Sequence, residues 1–224
     1  MTDVGAPTRT AWVRRPADAV AAGAGLAVLV AGMAVVGGDG HVPDWERSTF
    51  EAVNGMPDAL YPVMWPFQQL GVIVVGPLLA LAALLARRYR LALGLVLATV
   101  LKLGLERVVK MLVSRERPAT SIGDVAELRG DVSAGGESFV SGHAVLAAAM
   151  ACLIAPYLPR RWRVVPWVLV ALVMVGRVYV GAHGPLDVVC GAGLGVAIGS
   201  GLNLVLGVPA PGRGESRSEA QYGT

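Results

Sequence analysis

Three groups of polar residues interrupt an otherwise apolar sequence, and their residue types suit the binding and transfer of a phosphate group. Each group combines a cation or an imidazole with small residues that let the backbone come close to a ligand. They comprise Lys110, Arg117 and Pro118 in KMLVSRERP, Ser141, Gly142 and His143 in SFVSGH, and Arg177, His183 and Asp187 in RVYVGAHGPLD. Because the groups are far apart in the sequence, they form one site only if the fold brings them together.

The cations and the serine predict a cradle for a phosphate. Lys110, Arg117 and Arg177 carry positive charge and many N–H donors, and no carboxylate cluster accompanies them. Ser141 is a favoured N-cap residue, and Gly142 permits close approach at the start of a helix, where free backbone N–H groups bind anions. We therefore expect phosphate binding without a metal or another cofactor.

The two histidines are candidates for two different catalytic roles, nucleophile and general acid. His183 and Asp187 are four residues apart, one helical turn, so the carboxylate can accept from one ring nitrogen and leave the other free as a nucleophile. His143 would then be the general acid that protonates the leaving oxygen. Plainer interpretations exist for single residues: His183 as a satisfied core histidine, and Asp187 with Arg177 as a buried ion pair.

The composition predicts that an integral membrane protein carries these groups. The chain of 224 residues is 54% hydrophobic and 16% charged, and its mean hydropathy is +0.59. Since a helix needs about 20 apolar residues to cross a bilayer, we expect an all-α bundle of six transmembrane helices. The predicted spans are 18–37, 71–86, 91–109, 141–157, 164–180 and 186–206.

The arginines predict that both termini are cytoplasmic, because cytoplasmic loops retain positive charge. With this orientation most arginines outside the spans lie inside, and most acids lie outside. Lys110, Arg115 and Arg117 oppose the bias, since they crowd the outer end of the third span. We therefore expect the candidate site to face the extracytoplasmic side of the cell membrane, where a negatively charged ligand would account for these cations.

One transmembrane domain, residues 18–206, is expected between two cytoplasmic segments. Residues 1–17 and 207–224 are rich in Gly, Pro, Ser and charge, so they are predicted to be disordered. The first apolar run could also be a cleaved signal peptide, but its length and the absence of a clear cleavage site favour a retained helix. Aromatic residues between 38 and 70 predict short helices at the membrane surface. No interleaving of basic and aromatic residues supports nucleic-acid binding.

Other charged residues have simpler expectations. Glu106 should pair with Lys102 and Lys110, which lie four residues away on either side of it. Arg115 and Arg129 are expected to be solvated loop charges.

Small residues in the last two apolar stretches also carry expectations. Gly191, Gly195 and Gly199 form a face that either packs inside the bundle or joins a second copy in a homo-oligomer. Cys152 and Cys190 fall within predicted spans, so buried free thiols are expected rather than a disulfide.

Taken together, the three groups resemble the signature of the type 2 phosphatidic acid phosphatase superfamily. That signature is Lys, six residues, Arg-Pro; then Pro-Ser-Gly-His; then Ser-Arg, five residues, His, three residues, Asp. The match runs from Lys110 to Asp187, with Val140 in place of the proline and Gly176 in place of the serine. Six predicted spans agree with the membrane branch of the family.

The resemblance implies a membrane lipid phosphatase that is active, because no residue for bond making or proton transfer is missing. It implies His183 as nucleophile, Asp187 as its orienting partner and His143 as acid. It implies a phosphate site made of Lys110, Arg117, Ser141, Gly142 and Arg177. The substrate would be a phosphomonoester or diphosphate headgroup of the phosphatidic acid or polyprenyl type, hydrolysed through a phosphohistidine. The expected partners are this lipid phosphate and the surrounding membrane lipids.

Two alternatives come from other functional classes. A non-catalytic protein that binds or transports lipid phosphates would need the cations, but it would not need His143, His183 and Asp187 together. Soluble vanadate-dependent haloperoxidases share the signature, but six hydrophobic spans argue against that class.

Overall fold

The computed structural model describes residues 11–36, 42–123 and 125–210. In this part of the chain the fold is helical apart from a two-stranded antiparallel ribbon, β1 (Trp12–Val13) with β2 (Val208–Pro209). The helices are α1 (Pro16–Val36), α2 (Asp44–Asn54), α3 (Tyr61–Gln69), α4 (Val75–Leu85), α5 (Tyr89–Leu112), α6 (Pro118–Ser121), α7 (Gly142–Ile154), α8 (Val165–Tyr179) and α9 (Pro185–Leu206). Short 3-10 turns lie at Asp58–Leu60, Ala155–Tyr157 and Arg160–Trp162.

Every predicted span overlaps a helix, but the helices differ in whether they could cross a membrane. Within the described residues three are long and apolar enough, Pro16–Val36, Arg160–Tyr179 and Pro185–Leu206. The predicted span 71–86 is too long, because α4 has 11 residues, about 16 Å, against a hydrocarbon thickness of about 30 Å. A helical protein with membrane-spanning segments is confirmed, whereas the count of six and the orientation of the termini stay predictions.

The central helix is α7, whose residues 144–153 are all buried. Its many alanines allow neighbouring helices to come close, and α9 packs along it through the Gly191, Gly195 and Gly199 face. A Cβ at Gly195 would lie 2.3 Å from the Val145 carbonyl oxygen, so only glycine permits this approach. The glycine face therefore packs against α7 inside the bundle, and the homo-oligomer stays a prediction.

A buried polar contact joins α1 to α9. Asn203 Nδ2 donates to Asp18 Oδ1 at 3.3 Å, and Arg15 holds the same carboxylate at 2.8 Å. Cys152 and Cys190 are buried free thiols, as expected.

One face of α2 is buried along its whole length. Glu46, Phe50 and Asn54 recur every four residues, and each is no more than 1% exposed. Asn54 Nδ2 donates to the carbonyls of Glu127 and Tyr179, both at 2.9 Å. The short helices predicted between 38 and 70 are confirmed as helices. In addition, α2 connects the long loop between α5 and α7 to the end of α8.

Arg129 fastens the same loop. Its guanidinium donates to the carbonyls of Asn54 at 2.6 Å and Tyr179 at 2.8 Å, and it stacks 4.4 Å from the Tyr179 ring. Asp58 pairs with it at 2.7 Å. The expectation of a solvated charge is wrong, because Arg129 is buried and donates to four backbone or carboxylate acceptors. These acceptors are far from Arg129 in the sequence.

The terminal segments meet in the ribbon of β1 and β2. Trp12 pairs with Pro209, and Val13 with Val208. These strands lie within the segments 1–17 and 207–224 that were predicted to be disordered, so the prediction is wrong for their inner ends. Residues 1–10 and 211–224 lie outside the described residues.

Candidate active site

The three sequence groups meet at one end of the bundle. Arg115 and Arg117 follow α5, His143 begins α7, Arg177 ends α8, and His183 precedes α9. The positive charges of Arg177, Arg117 and Lys110 all act on the His183 ring, as does His143. The tertiary structure therefore brings together residues from four chain segments that the sequence separates by up to 77 positions, Lys110 to Asp187.

His183 is held in one orientation and one tautomer. Its Nδ1 lies 3.0 Å from the Ser138 carbonyl oxygen, which can only accept a hydrogen bond, so Nδ1 carries the proton. This leaves Nε2 unprotonated. Burial, together with the positive charges of Arg177 and Arg117, holds the pKa of His183 well below its usual value. The ring is therefore neutral at physiological pH, and Nε2 has a free lone pair.

Asp187 is connected to His183 through Ser138 and not by a direct hydrogen bond. Ser138 Oγ donates to Asp187 Oδ2 at 2.5 Å, while His183 Nδ1 lies 3.9 Å from that oxygen, longer than a hydrogen bond. The same carboxylate accepts from the Gly184 backbone N–H at 2.6 Å. The predicted direct hydrogen bond from His183 to Asp187 is wrong, because the Ser138 backbone carbonyl takes the Nδ1 proton first.

Arg115 connects Asp187 to a second buried carboxylate. It donates through one nitrogen to Asp187 Oδ1 at 2.8 Å and through another to Glu46 Oε2 at 2.6 Å. Burial lowers the pKa of Arg115, but Asp187 and Glu46 raise it more, so its pKa lies above the usual value. The expectation of a solvated loop charge is wrong for Arg115. The alternative interpretation that pairs Asp187 with Arg177 is also wrong, because Asp187 pairs with Arg115.

The predicted phosphate site contains buried polar atoms that no described residue satisfies. Arg117 Nε, Ser141 Oγ and Arg177 Nε are buried without a hydrogen-bond partner among the described residues. Ser141 is the N-cap residue of α7, as expected, but its hydroxyl does not cap the helix. Since buried polar groups are nearly always paired, each of the three atoms is available to a ligand that accepts hydrogen bonds.

Lys110 is held by the carboxylate of Glu106. Glu106 pairs with Lys102 at 2.7 Å and with Lys110 at 2.9 Å, which confirms the expected pairing. The carboxylate lies against the start of α7, where a Cβ on Gly142 would be 2.4 Å from Glu106 Oε2. Gly142 therefore leaves room for the Glu106 carboxylate at the start of α7.

Comparisons with known proteins identify the family. The sequence model of the PAP2 superfamily matches residues 91–207, more than half of the chain. The chain belongs to the PAP2 superfamily. Over 119 residues it is 29% identical to an undecaprenyl-diphosphatase of Sulfolobus acidocaldarius. The aligned part covers 53% of this chain and 57% of that relative, so the chain spans a little over half the relative's length.

Two solved structures have the same PAP2 fold. Aquifex aeolicus LpxE superposes with a TM-score of 0.62 and 25% identity, covering 68% of this chain and 90% of that one. The PAP2-type phosphatidylglycerolphosphate phosphatase of Bacillus subtilis superposes with a TM-score of 0.64 and 23% identity, covering 80% of this chain and 94% of that one.

Where this PAP2 chain lacks the usual serine, another side chain occupies the space. A Cβ on Gly176 would lie 3.0 Å from Gln68 Cγ, and Gln68 Oε1 accepts from Arg177 Nη1 at 3.1 Å. Gln68, on α3, therefore positions the cation next to Gly176. Val140, in place of the usual proline, is fully buried in the core beside Phe139.

The PAP2 signature does not include several residues that hold this site. Ser138, Glu46 and Gln68 each contact a signature residue or its partner, but the signature names none of them. Only Glu46 had a sequence signal, because it shares a four-residue spacing with Phe50 and Asn54. Ser138 and Gln68 are single polar residues without a pattern, so sequence reasoning could not select them.

Proposed function

We propose that the protein is a metal-independent membrane lipid phosphatase that works through a phosphohistidine at the extracytoplasmic face. The observation that carries the proposal is the set of three unpartnered buried polar atoms, Arg117 Nε, Ser141 Oγ and Arg177 Nε, beside a neutral His183. Two of the three belong to cations, so the ligand they favour is an anion with several acceptor oxygens. A phosphate group meets this requirement.

The phosphate would be held by cations and backbone N–H groups. Arg117 and Arg177 donate to its non-bridging oxygens, together with Ser141 Oγ and the first backbone N–H groups of α7, beginning at Gly142. Lys110 shifts from Glu106 toward the phosphate when the negative charge arrives. A ring of cations and N–H donors repels a divalent metal ion, which prefers oxygen ligands, and this supports metal independence.

In the first step, His183 Nε2 attacks phosphorus, and the bond between phosphorus and the leaving oxygen breaks. His143, protonated when the anionic substrate is bound, gives its proton to that oxygen. The positive charge that develops on His183 is offset by the phosphate and, through Ser138, by Asp187. The products of this step are a free alcohol, or a monophosphate from a diphosphate substrate, and a phosphohistidine.

In the second step, water attacks the phosphohistidine. His143, now neutral, accepts a proton from the water, while the phosphorus–nitrogen bond breaks and its electron pair returns to His183 Nε2. Inorganic phosphate leaves, and His143 is protonated again for the next cycle.

The substrate is proposed to be a lipid phosphate of the polyprenyl phosphate or diphosphate class, or of the phosphatidic acid type. The site lies at the ends of apolar helices, so a headgroup reaches it while its tail remains in the bilayer. The matched relative named undecaprenyl-diphosphatase supports the polyprenyl class.

The test is phosphate release by the purified protein from phosphatidic acid, undecaprenyl phosphate and undecaprenyl diphosphate, with EDTA present. Wild type should release phosphate, and His183→Ala should reduce kcat by at least about 10³-fold. Equal rates would exclude His183 as the nucleophile. A strict requirement for added divalent metal would exclude the metal-independent mechanism.

An experiment with two different leaving groups distinguishes the proposed role of His143 as general acid from that of His183 as nucleophile. His143→Ala should lose most activity on lipid phosphates but retain much more on p-nitrophenyl phosphate, whose leaving group needs no proton. His183→Ala should lose both activities. If the two variants lose the same fraction on both substrates, His143 is not the general acid.

A further inference from the structure

A second cavity lies at the end of the bundle opposite the candidate active site. Its volume is about 500 Å³, and its lining includes Trp12, Arg87, Arg88, Arg90 and Tyr157. The turn between α4 and α5 supplies Arg87 and Arg88, and the first turn of α5 supplies Arg90. The ribbon supplies the tryptophan, and the 3-10 turn after α7 supplies the tyrosine. α5 has 24 residues, so its two ends, one at each site, are about 36 Å apart.

Among the described residues, no opposite charge lies beside the arginines in this cavity. None of the described residues that line it is acidic. Within the described part of the chain, Arg87, Arg88 and Arg90 form no ion pair with a carboxylate. Three adjacent guanidinium groups without counter-charge repel one another, so an anion bound among them would be favoured.

Contacts with aromatic rings and backbone carbonyls fix the orientation of two of the guanidinium groups. The Arg90 guanidinium carbon lies 4.3 Å from the centroid of the Trp12 ring, and Nη1 donates to the Leu206 carbonyl at 2.5 Å. Arg88 lies 5.5 Å from the Tyr157 ring centroid and donates to its carbonyl at 3.4 Å. Each guanidinium has five N–H groups, so both retain donors for a ligand.

The surroundings of the cavity favour a lipid over a water-soluble anion. Trp12 and Tyr157 are residues that settle at the headgroup level of a bilayer. The neighbouring Leu85 and Val205 are 76% and 69% exposed and offer apolar surface for an acyl chain. Basic pockets between helices at a membrane surface are suited to phospholipid headgroups.

We propose that this cavity binds the headgroup of an anionic phospholipid, with the phosphate held by Arg87, Arg88 and Arg90. The site is separate from the phosphatase site and does not depend on the proposed function. A cavity of about 500 Å³ is large enough for a glycerophosphate headgroup. The ribbon of β1 and β2 closes one side of it, so lipid binding also stabilises the pairing of the two terminal segments.

The experiment measures lipid binding to the full chain in a non-ionic detergent by native mass spectrometry and by the thermal midpoint, Tm. The probe is dioctanoyl phosphatidylglycerol, a phosphodiester that a phosphomonoesterase does not hydrolyse. Arg87→Gln should weaken its binding about fivefold, because one arginine near a membrane surface contributes about that factor. Arg161→Gln removes an exposed arginine outside the cavity and should change nothing.

Arg88→Gln provides a second variant, and the Tm without lipid shows whether each variant folds. Both cavity variants should retain wild-type phosphate release. Equal lipid affinity of Arg87→Gln, Arg88→Gln and Arg161→Gln would overturn the proposal, as would equal affinity of the wild type for dioctanoyl phosphatidylcholine. If glycerol 3-phosphate binds as tightly as the lipid, the assignment to a phospholipid is wrong.

Discussion

Ser138 Oγ donates to Asp187 Oδ2 at 2.5 Å, while the backbone carbonyl of the same serine accepts the Nδ1 proton of His183 at 3.0 Å. One residue of the long loop after α5 thus joins the carboxylate to the imidazole. The hydrogen-bond connection between His183 and Asp187 runs through this residue, because the direct separation of 3.9 Å is too long for a hydrogen bond.

Ser138→Ala should therefore lower kcat with little effect on KM. The variant removes a hydrogen bond to a charged acceptor, worth about 1.5–3 kcal/mol, so a loss of roughly 10- to 100-fold is expected. The backbone carbonyl that fixes His183 remains in Ser138→Ala, so Asp187→Ala should lower kcat more than Ser138→Ala does. Ser133→Ala is the matched control, since this exposed serine lies in the same loop and bonds only the Gly135 carbonyl. A wild-type kcat in Ser138→Ala would exclude Ser138 as the link.

The low pKa of His183 predicts that acid destabilises the folded protein. Below about pH 6.5 the imidazole binds a proton in the unfolded chain but stays neutral in the folded one. Its contribution to stability is therefore complete above pH 6.5. It is lost as the pH falls below that value, by at most about 1.4 kcal/mol per pH unit. The Tm in detergent at pH 7.5 and pH 5 measures this loss. His183→Gln should show a smaller decrease, and an unchanged decrease would contradict the prediction.

Glu46 should matter for stability although it is not in the phosphate site. Glu46→Ala leaves Arg115 with one partner, in a place where both side chains are at most 7% exposed. Breaking a buried ion pair costs about 3–5 kcal/mol, so the Tm should decrease by several degrees and kcat should also fall. Glu51→Gln, an exposed acid on the same helix, is the control. In the double variant Glu46→Ala/Arg115→Ala the two losses should not add, since the pair shares one interaction.

Gln68 is expected to position Arg177 for substrate binding. Gln68→Ala removes the acceptor that lies 3.1 Å from Arg177 Nη1, so the guanidinium loses its fixed direction. KM should rise by roughly 10-fold, the lower end of the effect of one hydrogen bond to a charged group, while kcat should change less. Gln69→Ala is the matched control, because the Gln69 side chain donates to the Trp65 carbonyl of its own helix and not to Arg177. A rise in KM of equal size in both variants would mean that α3 itself is disturbed.

The orientation of the chain predicts which surface positions react with an impermeant thiol reagent on intact cells. Ala134→Cys, exposed in the loop after α5, should be labelled from outside. Arg161→Cys, exposed before α8, should be labelled only after the membrane is opened. The native thiols of Cys152 and Cys190 are buried and should not react. The reverse pattern would place the candidate active site on the cytoplasmic side.

Sequence alone was sufficient for the family, the helical character and the list of signature residues. The spacing of the signature residues and the apolar runs that form helices in a bilayer can both be recognised in the sequence, because both depend on residues near each other in the chain. The pairing of Glu106 with Lys102 and Lys110 could be predicted for the same reason. The lengths of the helices could not be predicted in the same way. The short α4 shows the reason, since part of an apolar run can form a turn instead of a helix.

Only the tertiary structure decided how the signature residues are held. Arg115 looked like a solvated loop charge, yet the fold buries it between Glu46 and Asp187, which lie 69 and 72 residues away from it in the sequence. The sequence predicted a direct hydrogen bond between His183 and Asp187, whereas in the structure Ser138 bonds to both residues. These partners meet because a buried charge or donor must find a partner within the packed bundle. The sequence lists the candidates but does not say which of them the packing brings within reach.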